Sequence, residues 1–264
     1  MNRNERAKAA QETLDIFQKG FYLSNDHKIM CQSRFSAEFL SENELASINP
    51  GHGGSTPRYE IVNESVVDTI LRHGGDNCGV LNFASAKNPG GGFLNGSLAQ
   101  EEALAVSSDL YNSQLQSKEL YDINWKCRTT LYTHNMIYSR NVTFIRNGRM
   151  ALLPSPVFAN VLTAPAVNAG AYYKNENGSK STVLDVMKKR MRYILNVFAT
   201  KGDRTIILGA FGCGVFKNEA EDVANIFYQL LKNERMENCF ECIVFAVYDS
   251  KGQVYNIFNT RFSE

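Results

Sequence analysis

A mostly apolar run, Gly79 to Ala84 (GVLNFA), leads within a few residues to the glycine cluster Gly90-Gly91-Gly92 and then to a helix expected from about Ala99 to Leu115. A run without polar alternation suits a strand buried on both faces, and such strands belong to parallel sheets covered by crossover helices. The same order recurs. Strand Tyr59 to Val62 precedes helix Glu64 to His73, and strand Val157 to Ala164 precedes the amphipathic helix Thr182 to Ala199. Strand Thr205 to Ala210 precedes helix Ala220 to Lys232, and Cys242 to Tyr248 is a last strand. Strands alternating with helices of this length define an α/β class with a largely parallel sheet covered on both faces. Two segments fall outside the alternation. Arg6 to Gly20 is a helix with one apolar face, expected to lead an N-terminal helical extension over residues 1–55. Tyr132 to Ile145 has strand character with a polar break and is expected to form an extra strand pair on the rim.

The 264 residues lie near the size at which one hydrophobic core stops growing. No tandem repeat, low-complexity tract or linker interrupts the chain, so a single domain over 1–264 is expected. The 28 Lys plus Arg against 27 Asp plus Glu leave a charge of +1, which excludes a strongly basic nucleic-acid coat, and no direct nucleic-acid binding is expected. No apolar run reaches the roughly 18 residues of a membrane span, and Ile243 to Val247 has only strand length. No membrane partner is expected. Cys31, Cys78, Cys127, Cys213, Cys239 and Cys242 lack a framework of regular spacings, and no apolar signal segment follows MNRNERAK, so a reducing cytoplasm is expected.

The chemistry concentrates in two glycine-rich segments, each placed after a buried strand and before a helix. Ligands of open α/β sheets bind beyond the carboxyl ends of the strands, where glycines let main-chain amides approach phosphates. Gly209 to Phe216 (GAFGCGVF) offers such amides, yet it has neither the lysine of a P-loop nor the dinucleotide-binding spacing. Asn88 to Glu102 (NPGGGFLNGSLAQEE) sets two carboxylates at a helix start beside three successive glycines.

A triple glycine followed, after seven residues, by Gln100-Glu101-Glu102 resembles the signature of poly(ADP-ribose) glycohydrolases, a macrodomain-related family. Val80 to Asn95, Thr163 to Gly170 (TAPAVNAG), Leu208 to Phe216 and the opening RAKAAQETLDIF are similar to its compact microbial branch. The resemblance implies a three-layer α/β/α macrodomain-like fold with a mixed, mostly parallel sheet. It implies hydrolysis of the ribose–ribose O-glycosidic bond of poly(ADP-ribose) from the chain terminus, releasing ADP-ribose. Glu102 is then the catalytic acid/base and Glu101 a ligand-positioning carboxylate. Gly91 and Gly92 line the site, and Gly212, Cys213, Gly214, Val215 and Phe216 wrap the diphosphate, with Phe216 near the terminal ribose. Where many macrodomains carry N-x-A-N, this chain reads Asn82-Phe83-Ala84-Ser85, so Asn88 is a candidate to replace the missing asparagine. Asn95 and Gln100 are further candidate contacts, or caps of a turn and of the helix start. The same pocket also suits a binding module that recognises ADP-ribose without cleaving it, or a hydrolase removing single ADP-ribose groups from proteins.

Adjacent helical residues point about 100° apart, so Glu101 and Glu102 cannot flank one bond as the carboxylate pair of an ordinary glycosidase does. One acts and the other orients. Alternatively the pair merely complements the helix dipole. Phe211 reads as a core anchor, and Cys213 as a loop residue rather than a nucleophile. Cys239 and Cys242 have C-x-x-C spacing without a second ligand pair, and Cys242 reads as a small apolar residue at a strand entrance; the implied mechanism requires no metal, and no cofactor is expected. His27, His52, His73 and His134 are expected at the surface or rim, and Lys188, Lys189, Arg190 and Arg192 on a solvated helix face.

Overall fold

The computed structural model describes residues 1–51 and 53–263; His52 lies outside the described residues. Helix α1 (Arg3–Lys19) opens with a capping box, in which Asn2 and Glu5 satisfy each other's amides, and ends at the left-handed Gly20. The hairpin β1 (Phe21–Ser24) and β2 (His27–Met30) follows. Then come β3 (Ser36–Leu40), α2 (Glu42–Ser47), β4 (Arg58–Val62), α3 (Val66–His73) and β5 (Cys78–Phe83). The middle of the chain holds α4 (Gln100–Ser107), α5 (Leu110–Gln116), α6 (Glu119–Lys126), β6 (Met136–Arg146) and β7 (Leu152–Ala164). The rest is α7 (Ala169–Glu176), α8 (Lys180–Lys201), β8 (Thr205–Leu208), α9 (Ala220–Tyr228), β9 (Cys242–Ala246) and α10 (Gln253–Ser263).

Seven strands form one sheet in the order β3-β6-β7-β5-β8-β9-β4. From β7 to β4 every neighbour is parallel, while β6 and β3 are antiparallel additions at one edge. Strand periodicity sorts the apolar side chains into two cores. Leu81, Leu162, Ile206 and Phe245 meet Met191 and Phe198 of α8 and Phe227 of α9 on one face. Val80, Val161, Ile207 and Val244 meet Val67 and Ile70 of α3 and Leu104 of α4 on the other. Helices on both faces make three layers, and no helix among the described residues is long and apolar enough to cross a membrane.

Three elements differ from the sequence expectation. The helix expected over Ala99 to Leu115 is two, because Ser108 turns extended and bridges Phe144 while Asp109 Oδ1 accepts the Thr143 amide at 2.8 Å. Tyr132 to Ile145 yields one long strand rather than a rim pair. Its polar break at Asn141, with φ +55°, is a bulge, and β6 is paired on both sides inside the sheet. The N-terminal segment is not only helical, since its β3 forms the sheet edge.

Helix α1 also backs the first glycine loop. Ala9 and Ala10 pack on Phe93, Ala105 and Val106. Arg3 and Arg6 donate from Nε to the carbonyls of Asn95 and Gly96, each at 2.8 Å, and Thr13 Oγ1 donates to the Val106 carbonyl at 2.7 Å.

Candidate active site

Beyond the carboxyl ends of β5, β7 and β8 lies a cavity of about 630 Å³. One wall is the first glycine loop with the start of α4, contributing Ser85, Asn88, Gly91, Gly92, Asn95 and Glu102. The second loop supplies the opposite wall through Gly212, Gly214, Val215 and Phe216.

The two carboxylates are treated differently, as their angular separation requires. Glu101 is buried; its Oε1 accepts from Asn82 Nδ2 at 3.2 Å and Gln114 Nε2 at 3.0 Å, and its Oε2 from the Ser85 amide at 2.7 Å. Burial pushes this carboxyl up to about 8, outweighing the three donors that favour the anion. Glu102, which lines the cavity alongside Glu101, is less enclosed, and its Oε1 accepts the Gly92 amide at 2.9 Å. Gly91, at φ +59°, passes so close that an added Cβ would stand 2.5 Å from Glu102 Oε1 and 3.1 Å from Glu101 Oε2. Only a glycine lets the loop press against both acids.

Ser85 occupies the position of the missing asparagine and organises the turn. Its Oγ accepts the amides of Lys87 at 3.3 Å and Asn88 at 3.1 Å, which carries Asn88 to the cavity. Gln100 borders the cavity, but its amide is engaged elsewhere. Its Oε1 accepts the Phe83 amide at 2.9 Å and its Nε2 donates to the Leu81 carbonyl at 2.7 Å, fastening α4 to β5. The helix start is capped at Ala99 without a side-chain bond, so neither Asn95 nor Gln100 caps it.

In the second loop, Gly212 at φ +77° lies where a Cβ would meet Ala166 and Asn218 at 2.6 Å. Asn218 Nδ2 donates to the carbonyls of Val167 at 2.8 Å and Gly212 at 3.1 Å, closing the loop. Among the described residues, the amides of Gly214, Val215 and Phe216 have no acceptor within the protein. Three successive free amides beside a cavity form an anion-binding concavity. Phe211 is fully buried against Phe83. Cys213 departs from the expected contact with ligand: its amide donates to the Ala210 carbonyl at 3.1 Å, and its thiol lies within 3.9 Å of the Phe211 carbonyl. Burial pushes that thiol up to about 12, so it stays protonated and is no nucleophile.

Sequence reasoning missed the supports. Arg190 is wholly buried rather than solvated, donating to the carbonyls of Pro165 at 3.0 Å, Leu131 at 3.0 Å and Tyr132 at 3.2 Å, and to His134 Nδ1 at 3.3 Å. His134 is likewise buried rather than at the rim, and burial beside Arg190 pushes it down to about 4, keeping Nδ1 an acceptor. This network holds Tyr132 against Phe216, ring centres 6.0 Å apart, and Phe216 lines the cavity. Elsewhere Glu60 in mid-β4, His73 at the end of α3 and Cys242 at the start of β9 converge, and the guanidinium groups of Arg58, at 2.8 Å, and Arg72, at 3.4 Å, already hold Glu60. Cys242 is buried at the entrance of β9, and all six cysteines are unpaired.

A mostly parallel α/β sheet whose cavity is lined by free main-chain amides and by carboxyl groups defines a class of protein able to hold an anionic ligand and present an acid to it. Within that class, the chain belongs to the microbial-type poly(ADP-ribose) glycohydrolase family. The family described as "Microbial-type PARG, catalytic domain" matches residues 10–147. The poly(ADP-ribose) glycohydrolase of Thermomonospora curvata is 31% identical with a TM-score of 0.91, covering 98% of this chain and 100% of its own. Its complex with the inhibitor ADP-HPD gives a TM-score of 0.89 at 31% identity over the same shares. The enzyme of Deinococcus radiodurans, solved with ADP-ribose, is 35% identical with a TM-score of 0.80 over 86% of this chain and 94% of its own. Among curated proteins, none matches the chain.

Proposed function

We propose that the cavity binds the terminal ADP-ribose unit of poly(ADP-ribose) and that Glu102 cleaves the bond joining it to the next unit. Membership of the family makes the chain a poly(ADP-ribose) glycohydrolase, a glycosidase. The observation that supports Glu102 as acid/base is its place on the cavity lining with its Oε1 fixed by the Gly92 amide, beside a partner carboxyl that is buried. In the reaction, protonated Glu102 gives its proton to the leaving ribose oxygen as the C–O bond breaks. The positive charge that develops on the anomeric carbon and ring oxygen is met by the diphosphate, which the amides of Gly214, Val215 and Phe216 hold in place. Glu102, now a carboxylate, takes a proton from the attacking water, and the new C–O bond yields ADP-ribose.

Glu101 acts as a positioning carboxyl, anchored by Asn82, Ser85 and Gln114 so that it borders the ligand without swinging into the reaction. Asn88 and Asn95 supply neutral polar contacts to the ribose hydroxyls. The unpaired cysteines fit a cytoplasmic enzyme, and β3, built into the main sheet, fits one catalytic domain over the whole chain. Incubation with labelled poly(ADP-ribose), and separately with a mono-ADP-ribosylated protein, tests the reading. Free ADP-ribose released from polymer ends is the expected product. Release from the protein alone would make it a mono-ADP-ribosyl hydrolase, and tight binding without release a recognition module.

A further inference from the structure

The only tryptophan of the chain is 60% exposed, an unusual place for so large an apolar group. Yet Trp125 is not loose. At the last turn of α6 its indole Nε1–H donates to the Lys87 carbonyl at 2.8 Å, and Lys87 Nζ lies 5.0 Å from the ring centre. Lys87 directly precedes Asn88 on the cavity wall, and both amides are fixed by Ser85, whose own amide holds Glu101. The ring is therefore tied through one short segment to the carboxylate side of the cavity, with an ammonium group over it, and Lys126 and Arg128, close by in sequence, are exposed.

We propose that Trp125 and Lys87 form a subsite for the nucleotide on the leaving side of the scissile bond; this rests on the glycohydrolase reading above. In a ribose–ribose linkage the leaving oxygen belongs to the adenosine of the next unit, so an adenine emerges within one sugar of Glu102. A pinned indole offers that base a stacking platform whose ordering entropy is already lost, and Lys87 meets the charge of the adjoining diphosphate. Cavity and platform together span two units, so the pair favours polymer over a lone ADP-ribose group.

The lone tryptophan is its own reporter. In a Glu102→Gln variant, which halts turnover, oligomers of two or more ADP-ribose units should quench indole emission, whereas ADP-ribose alone should fill the cavity with little change. In the active enzyme, Trp125→Ala should raise KM for polymer by roughly 5- to 100-fold, the range of a base–aromatic stack. Cleavage of an aryl ADP-riboside, which has no second nucleotide, should stay within about twofold, and Trp125→Phe should recover most of the polymer KM. Equal losses on both substrates, or no quenching by oligomers, would overturn the subsite. A wild-type protein that cleaves neither substrate sinks the glycohydrolase reading instead, and oligomer quenching in Glu102→Gln then still decides whether the platform binds nucleotides.

Discussion

At the scale of single residues, the site turns on what lies between two neighbouring acids. Glu101 and Glu102 diverge by one helical step, one held at the cavity floor by buried donors and one more open to the cavity, and Gly91 packs against both. Replacing Glu102 by Gln keeps the shape and the acceptor for the Gly92 amide but removes the transferable proton. Polymer turnover should fall by ~10³-fold or more, with ADP-ribose affinity by calorimetry within a few-fold. Gly91→Ala should also reduce turnover, because its methyl group displaces the Glu102 carboxylate and φ +59° disfavours any side chain. Unchanged turnover in Gly91→Ala would mean that the loop does not position the acid. The glycines and the acids were legible as a cluster, since spacing alone puts them at one sheet edge. Asn82 and Gln114 under Glu101 were not, because a buried polar support leaves no local pattern.

Elements decide how rigid the cavity walls are. The second loop carries its free amides on Gly214, where a side chain would meet nothing within 4 Å. Gly214→Val should therefore fold normally, with unchanged thermal stability, while its bulk intrudes on the cavity and weakens ADP-ribose binding at least tenfold. Undiminished affinity would remove this loop from the diphosphate. Behind that wall, α8 points Arg190 inward in register with Met187, Met191 and Ile194, which share its buried stripe. That register was readable in the sequence, but a run of four basic residues in five drew attention to charge rather than position. Helix α4 ends where Ser108 and Asp109 dock on β6, a long-range bond that no periodicity announces. Strands β5, β8 and β9 were plain from their mostly apolar runs, whereas the Asn141 bulge in β6 looked like a turn because the same residue types serve both.

For the molecule as a whole, the buried acids set an unusual pH dependence. Burial pushes Glu101 up to about 8, Asp109 to about 7 and Asp203 to about 6, all above the values they regain on unfolding. Between those limits the folded chain keeps protons that the unfolded chain has released, so stability falls as pH rises. His134, pushed down to about 4, works in the opposite sense, but its contribution levels off by about pH 7.5, one unit above the unfolded histidine's value, and offsets only a small part of the decline above pH 6.5. Asp203 has by then also ionised. From pH 6.5 to 8 the remaining slope belongs mainly to Glu101, with Asp109 fading at the lower end. A loss on the order of 2 kcal/mol follows over that interval, equivalent to several degrees in Tm. Thermal melts at pH 6.5 and 8 should show this decline, and Glu101→Gln should flatten it whatever its effect on absolute stability. Above pH 8, Cys31, Cys78 and Cys213, pushed up to about 11, 12 and 12, prolong the decline by the same logic, so the comparison belongs below that point. A wild-type melt that rises or stays level between pH 6.5 and 8 would mean that Glu101 is already ionised in the folded protein. Its three donors would then have outweighed its burial, and the positioning group beside the ligand would be an anion.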